Sequence, residues 1–234
     1  MKSKNSVETW QKYYKDMYLE NETAKPRFPD ENLVRLLKGN YVKLPKTGRV
    51  LDVGFGGGAN LVMCAQQGFE AHGLEVCQEI VDAVEKQARQ LYGIDLKLGV
   101  LKDTSLPYAD GYFDIVISWN AVYYFGERSL VRSAIDEFHR VLRPGGVLLL
   151  SIIHPNSWMV RRLGECIDGD GCYRIEKASD HDNRFGIEIF YEGTSSGWRR
   201  LLSGFDAVEE GYAEADLFAP DVREAWRLFM AKKS

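Results

Sequence analysis

The sequence predicts an α/β fold built on a mostly parallel, doubly wound sheet, and three observations carry that prediction. Short apolar runs alternate with amphipathic helical patterns along the chain after Pro45. Glycines at alternate positions, Gly54, Gly56 and Gly58, separate the first such run from the helix that follows it. The run Phe113 to Trp119 is apolar enough to be buried on both faces, as a central parallel strand requires. Alternation of this kind lays crossover helices on the faces of one sheet.

Before that core, Trp10, Tyr13, Tyr14, Met17 and Tyr18 recur at three- and four-residue intervals and so share one face of a helix. Pro29 and Asp30 open a second, short helix that presents Leu33, Leu36 and Leu37 and is closed by Gly39. Residues 1–44 thus form an N-terminal helical cap, and residues 45–234 the sheet domain. Strand one runs from Val50 to Val53, and its helix from about Leu61 to Gln67, stopped by Gly68. Strand two, Ala71 to Val76, precedes a helix with Ile80, Val84, Ala88 and Leu91 in register and Gly93 beyond its end. Strand three spans Leu96 to Val100 and strand four Phe113 to Trp119. A helix from about Leu130 to Leu142 is broken by Pro144, Gly145 and Gly146 before strand five, Val147 to Ile153. Over 155–186 the periodicity dissolves into a charged, glycine-bearing insertion. Strand-like Ile187 to Tyr191, a helical piece near Trp198 to Leu202, and strands near Ala207 to Ala215 and Ala225 to Lys232 complete the chain.

Composition narrows the function classes. The 234 residues, 45% of them hydrophobic, suit one domain with a sizeable core. A net charge of −4 with scattered basic residues gives no general attraction to phosphate backbones, so nucleic acid is not the expected partner. No run approaches ~18 apolar residues, and the start of the chain lacks the apolar core of a secretory signal. A soluble cytoplasmic protein with no membrane partner, monomeric or homodimeric, is expected. Cys64, Cys77, Cys166 and Cys172 show no zinc-ligand spacing, and Asp168-Gly169-Asp170-Gly171 resembles the start of a calcium loop without its later acids, so no metal is expected.

The chemistry concentrates at the glycine turn. Glycines there let the backbone leave a strand sharply and bring a ligand to the next helix's N-terminus. Asp52, beside the turn, would repel a pyrophosphate and hold a cationic or ammonium-bearing ligand. Glu75, 21 residues after Gly54, stands where a carboxylate can accept from both hydroxyls of a ribose; the plainer alternative is an exposed strand-end acid. No Gly-Lys-Ser/Thr follows the glycines, which excludes P-loop chemistry.

Four features in order resemble the class I S-adenosylmethionine-dependent methyltransferases over roughly residues 45–153. They are the Asp52-x-Gly54-x-Gly56-x-Gly58 loop, Glu75 at the end of strand two, the stretch Leu101 to Asp114 holding Asp103, and the Phe138 to Gly146 helix and turn. The expected architecture is a Rossmann-like sheet of seven strands, mostly parallel with an antiparallel final strand. The resemblance implies S-adenosylmethionine as cofactor. Gly54, Phe55, Gly56, Gly57 and Gly58 would wrap its methionine half, and Asp52 would meet its ammonium. Glu75 and Val76 would hold the ribose and adenine, with Asp103 and Thr104 near the adenine amino group. Trp119 and Asn120 would border the methyl, and Tyr14 would reach the cofactor from the cap.

The acceptor side is expected at the C-terminal ends of strands four and five. His154 is the candidate base or acceptor-positioning group, with a hydrogen-bonded strand-end histidine as the alternative. Tyr124, Trp158 and Arg161 are candidate contacts to a small-molecule acceptor that offers an O or N nucleophile, and arginines of the insertion suit a carboxylate or phosphate on it. The Asn/Asp-Pro-Pro-aromatic segment of base-amino methyltransferases is missing after strand four, which argues against DNA as acceptor. An NAD(P)-dependent oxidoreductase and a non-catalytic cofactor-binding subunit remain the competing readings.

Overall fold

The computed structural model describes residues 28–39, 43–177, 184–216 and 223–234. The aromatic segment that carries Tyr14 lies outside the described residues. The elements are α1 (Glu31–Lys38), β1 (Gly48–Val53), α2 (Ala59–Gln66), β2 (Phe69–Glu75), α3 (Gln78–Tyr92), β3 (Lys97–Val100), β4 (Phe113–Trp119), α4 (Arg128–Val141) and β5 (Leu142–Ile153). After them come β6 (Leu163–Cys166), β7 (Cys172–Ile175), β8 (Glu188–Phe190), α5 (Ser195–Leu201), β9 (Ala207–Asp216) and β10 (Arg223–Lys232).

Seven strands form one sheet in the order β3-β2-β1-β4-β5-β10-β9. The first five are parallel, β10 runs antiparallel to β5, and β9 runs antiparallel to β10. This is the Rossmann-like sheet with an antiparallel final strand that the sequence predicts. Strand order reverses between β1 and β4, and open sheets of this kind take their ligands at the carboxyl ends of the strands beside such a reversal.

Each face of the sheet carries its own core. Leu51, Phe113, Phe138, Leu150, Trp198 and Phe229 pack on the side of α4 and α5. On the other side Leu61 from α2 and Ile80 from α3 pack against Val50, Ile115 and Leu149, and Leu33 anchors α1 to the same layer. Asp30 starts α1 by accepting from the N–H groups of Asn32 (2.9 Å) and Leu33 (3.3 Å), which satisfies two of that helix's orphan donors.

Three expectations are corrected. The described part of the insertion carries strands: β6 and β7, with β8 just beyond it, form a separate three-stranded antiparallel sheet. Its strands are three or four residues long, too short for their alternation to stand out. Asp168 makes its turn by accepting at Oδ1 from the N–H groups of Asp170 (2.8 Å) and Cys172 (2.9 Å), and Arg128 of α4 grips Asp170 at 2.7 Å. Second, β5 begins at Leu142, so Pro144 and Gly145 lie within an irregular strand start. The N–H of Gly145 donates to the carbonyl of Lys233 at 2.8 Å, which extends the ladder towards the chain end. Third, Leu91 is 66% exposed and does not join the buried face of Ile80, Val84 and Ala88.

Candidate cofactor site at the glycine turn

β1 carries Asp52 into the interior between Gly73 of β2 and Ile117 of β4. The chain then turns at Gly54 (φ +78°) and enters α2 at Gly58 (φ +75°). Both positions exclude a side chain. A Cβ on Gly54 would lie 2.5 Å from that of Ala121, and one on Gly58 2.4 Å from Cγ1 of Val84. The segment after β4 therefore rests directly on the turn, and α3 rests directly on the start of α2.

Glu75 ties this turn to β2. Its Oε2 accepts from the N–H of Gly56 at 2.9 Å and its Oε1 from its neighbour Val76 at 2.7 Å. The carboxyl is buried, which raises its pKa against the opposing pull of those two donors. Each oxygen keeps a further lone pair, so the group can still accept from hydroxyls. The strand-end acid of the sequence reading is thus neither exposed nor idle.

Asp52 is different in kind. It is 1% exposed, and among the described residues neither carboxyl oxygen has a hydrogen-bond partner. Burial, followed by the nearby Glu75, pushes its pKa up to about 8. A buried polar group without a partner is expensive, and native structures hold few of them without a functional reason. An ammonium group would satisfy both oxygens, so these residues fit an amino-acid-bearing nucleoside.

The edge beside β4 and β5 is also fixed. Asn120 has φ +55° and is the sole described non-glycine residue with positive φ. Ser151, fully buried on β5, holds it at two points, accepting from the Asn120 N–H at 2.8 Å and donating to its Oδ1. Strained backbone of this kind clusters at ligand sites. Ser151 was missed in the sequence, although a serine within the run Leu148 to Ile153 was a visible signal. Trp119, beside it, is buried on the α1–α3 side, and the Phe55 side chain fills the same layer against Gly73.

The remaining positions disperse. Asp103 orders its own turn by accepting from the N–H of Ser105 at 2.7 Å. The hydroxyl of Thr104 pairs with that of Ser133 on α4, which commits it to the helix. Tyr124 accepts from Arg184 at 3.2 Å, and the guanidinium of Arg184 sits 5.9 Å from the Trp158 ring. Trp158 is buried and donates through Nε1 to Glu224 at 3.2 Å. Arg184 brings these two aromatic side chains together and was not singled out in the sequence. Arg161 lies on the exposed surface.

His154 is placed at the antiparallel edge rather than beside the turn. Its ring stacks on Tyr212 of β9 at 5.7 Å, and its Nδ1 accepts from Asn156 at 3.1 Å. With Arg199, Glu210, Gly211, Tyr212 and Arg227 it lines an open cleft of about 330 Å³. Burial and the Arg227 charge lower its pKa. The hydrogen-bonded strand-end histidine describes this placement, and the expected base does not.

Residues 51–150 match a family model described as a methyltransferase domain. An uncharacterized methyltransferase of Synechocystis sp. is 32% identical over 112 residues, 47% of this chain and 50% of the relative. The chain spans about half the length of the curated relatives it matches most strongly. A SAM-dependent methyltransferase structure from Methanosarcina mazei superposes with a TM-score of 0.65 at 21% identity, covering 83% of this chain and 95% of that one. The 1,6-didemethyltoxoflavin-N1-methyltransferase of Burkholderia thailandensis, solved with its substrate and S-adenosylhomocysteine, gives 0.67 at 15% identity over 97% and 87% of the two chains. At such identities the structures establish the fold. The resemblance read from the sequence is borne out, since residues 51–150 match the methyltransferase domain model.

Proposed function

We propose that this chain is an S-adenosylmethionine-dependent methyltransferase that alkylates an O or N nucleophile of a small molecule. The observation that carries this reading is the buried, unpartnered Asp52 at the foot of a glycine turn whose other side is clasped by Glu75. A dinucleotide would bring a diphosphate to an acid there, whereas a cofactor with an amino-acid tail brings a donor. The methyltransferase domain match and the methyltransferase relatives support the same class.

The cofactor supplies a methyl group already activated on sulfonium. The chain's own task is then alignment and exclusion of water. Asp52 meets the ammonium, Glu75 accepts from the ribose hydroxyls, and Asn120, locked by Ser151, shapes the boundary between cofactor and acceptor. Tyr124, Trp158 and Arg184 form the acceptor side, with the small β6–β8 sheet as part of its cover. Their aromatic and cationic character suits a planar acceptor with an anionic group. His154 is assigned no proton transfer.

Transfer of labelled methyl from S-adenosylmethionine to a component of cell extract, with the product identified by mass, tests this reading. Tighter binding of NADH than of S-adenosylhomocysteine would overturn it in favour of a dehydrogenase.

A further inference from the structure

Asp52 has a second peculiarity that cofactor binding alone does not explain. Among the described residues, each element packed against it lacks a cation. β2 presents Gly73 and the acid Glu75, β4 presents Ile117 and Trp119, and α2 presents Cys64, whose own thiol is pushed up by burial and by Asp52. The charge acting on Asp52 beyond burial is Glu75, of like sign. Glu75 is stabilised as a carboxylate by two backbone N–H groups, and Asp52 has no such donor. Of two neighbouring buried acids, the one without donors keeps the proton.

We propose that Asp52 is a neutral carboxylic acid in the unliganded protein and releases its proton to solvent when an ammonium-bearing cofactor binds. The O–H bond of the carboxyl breaks, a buffer base takes the proton, and the carboxylate left behind receives N–H bonds from the ligand's ammonium. Binding at neutral pH therefore strengthens as pH rises, until Asp52 is already ionised in the free protein. The proposal rests on the methyltransferase reading, because it needs a cationic ligand at this acid.

Calorimetric titration of the whole chain with S-adenosylhomocysteine in two buffers of different ionisation enthalpy tests it. The expected result is a buffer-dependent heat that corresponds to about one proton released per ligand near pH 7. In Asp52→Asn the weaker binding that remains should release none. As a check without ligand titration, infrared spectra of the unliganded chain should show a protonated-carboxyl band that is absent from Asp52→Asn and lost on adding the ligand. Binding with buffer-independent heat would overturn the proposal and leave the methyltransferase reading standing. Equal proton release from Asp52→Asn would also overturn it, assigning the proton elsewhere. No binding heat, with no methyl transfer, would overturn both.

Discussion

The acids at the β9–β10 edge and those beside the glycine turn are handled in opposite ways. At the β9–β10 edge, Glu210 takes Arg227 at 2.6 Å and Arg199 at 3.2 Å and accepts from the Ser195 hydroxyl as well. Burial would raise its pKa, yet the hydrogen bonds from Ser195 and Arg227 outweigh it and the pKa is lowered. Beside the glycine turn, Asp52 and Glu75 are more deeply buried, and among the described residues no cation answers them. Satisfied charges fasten an edge, while an unpartnered acid in the interior weakens the fold and is retained where a ligand will complete it. The difference separates architecture from function without reference to any relative.

Substitutions can break or sharpen this contrast. The largest loss is expected from Gly54→Ala, which forces a Cβ into Ala121 at a positive φ. It should cost roughly 3 kcal/mol of stability in urea denaturation and abolish cofactor binding. Wild-type stability in such a variant would show that the two segments do not press on each other.

Asp52→Asn comes next and has a distinctive sign. An acid whose folded pKa lies above its unfolded value binds more protons when folded. Its contribution is therefore fully present below the unfolded value near 3.8 and is lost as pH rises through about 8. The variant should thus exceed wild type in stability at about pH 8, by roughly 5 kcal/mol, with the advantage shrinking towards pH 4. Melting curves across that range decide the matter, and a pH-independent difference would remove the unpaired-acid interpretation. The same variant should bind cofactor more weakly.

Glu210→Gln should behave oppositely. It should destabilise by about 1 to 2 kcal/mol near neutrality, since Arg227 would lose its carboxylate, and leave cofactor affinity unchanged. Because its pKa is lowered on folding, the Glu210 contribution is in place above the ordinary carboxylate range and is lost in acid, the reverse of Asp52. A fall in cofactor affinity would mean that the β9–β10 edge and the glycine turn are coupled. Smallest of all, Arg174→Ala on the exposed pair with Glu188 should shift stability by less than about 0.5 kcal/mol in thermal denaturation.

Much of the sheet was legible because its strands are buried on both faces and its helices on one. β4 was placed at both ends, Phe113 and Trp119, since a run apolar but for Asp114 and Ser118 suits a strand buried on both faces. The small β6–β8 sheet was not legible, because its pairing depends on contacts between segments distant in sequence, such as Cys172 with Phe190. In the site, Asp52, Gly54 and Glu75 were readable from spacing along a βα unit. Ser151 and Arg184 act across elements, and their parts emerge only when β4 meets β5 and the insertion folds back. The placement of His154 away from the turn has a related cause. Position after β5 does not fix direction, and its backbone N–H joins the carbonyl of Ala225, which draws the residue to β10.

The bond from the Gly56 amide to Glu75 joins the part of the cradle we propose for an amino acid to the part we propose for a sugar. Two fragments of one guest, adenosine and methionine, would then enter a seat whose halves cannot be adjusted separately. Whichever fragment settles first braces the backbone on which the second must land, so each should favour the other's arrival even though the two share no covalent bond.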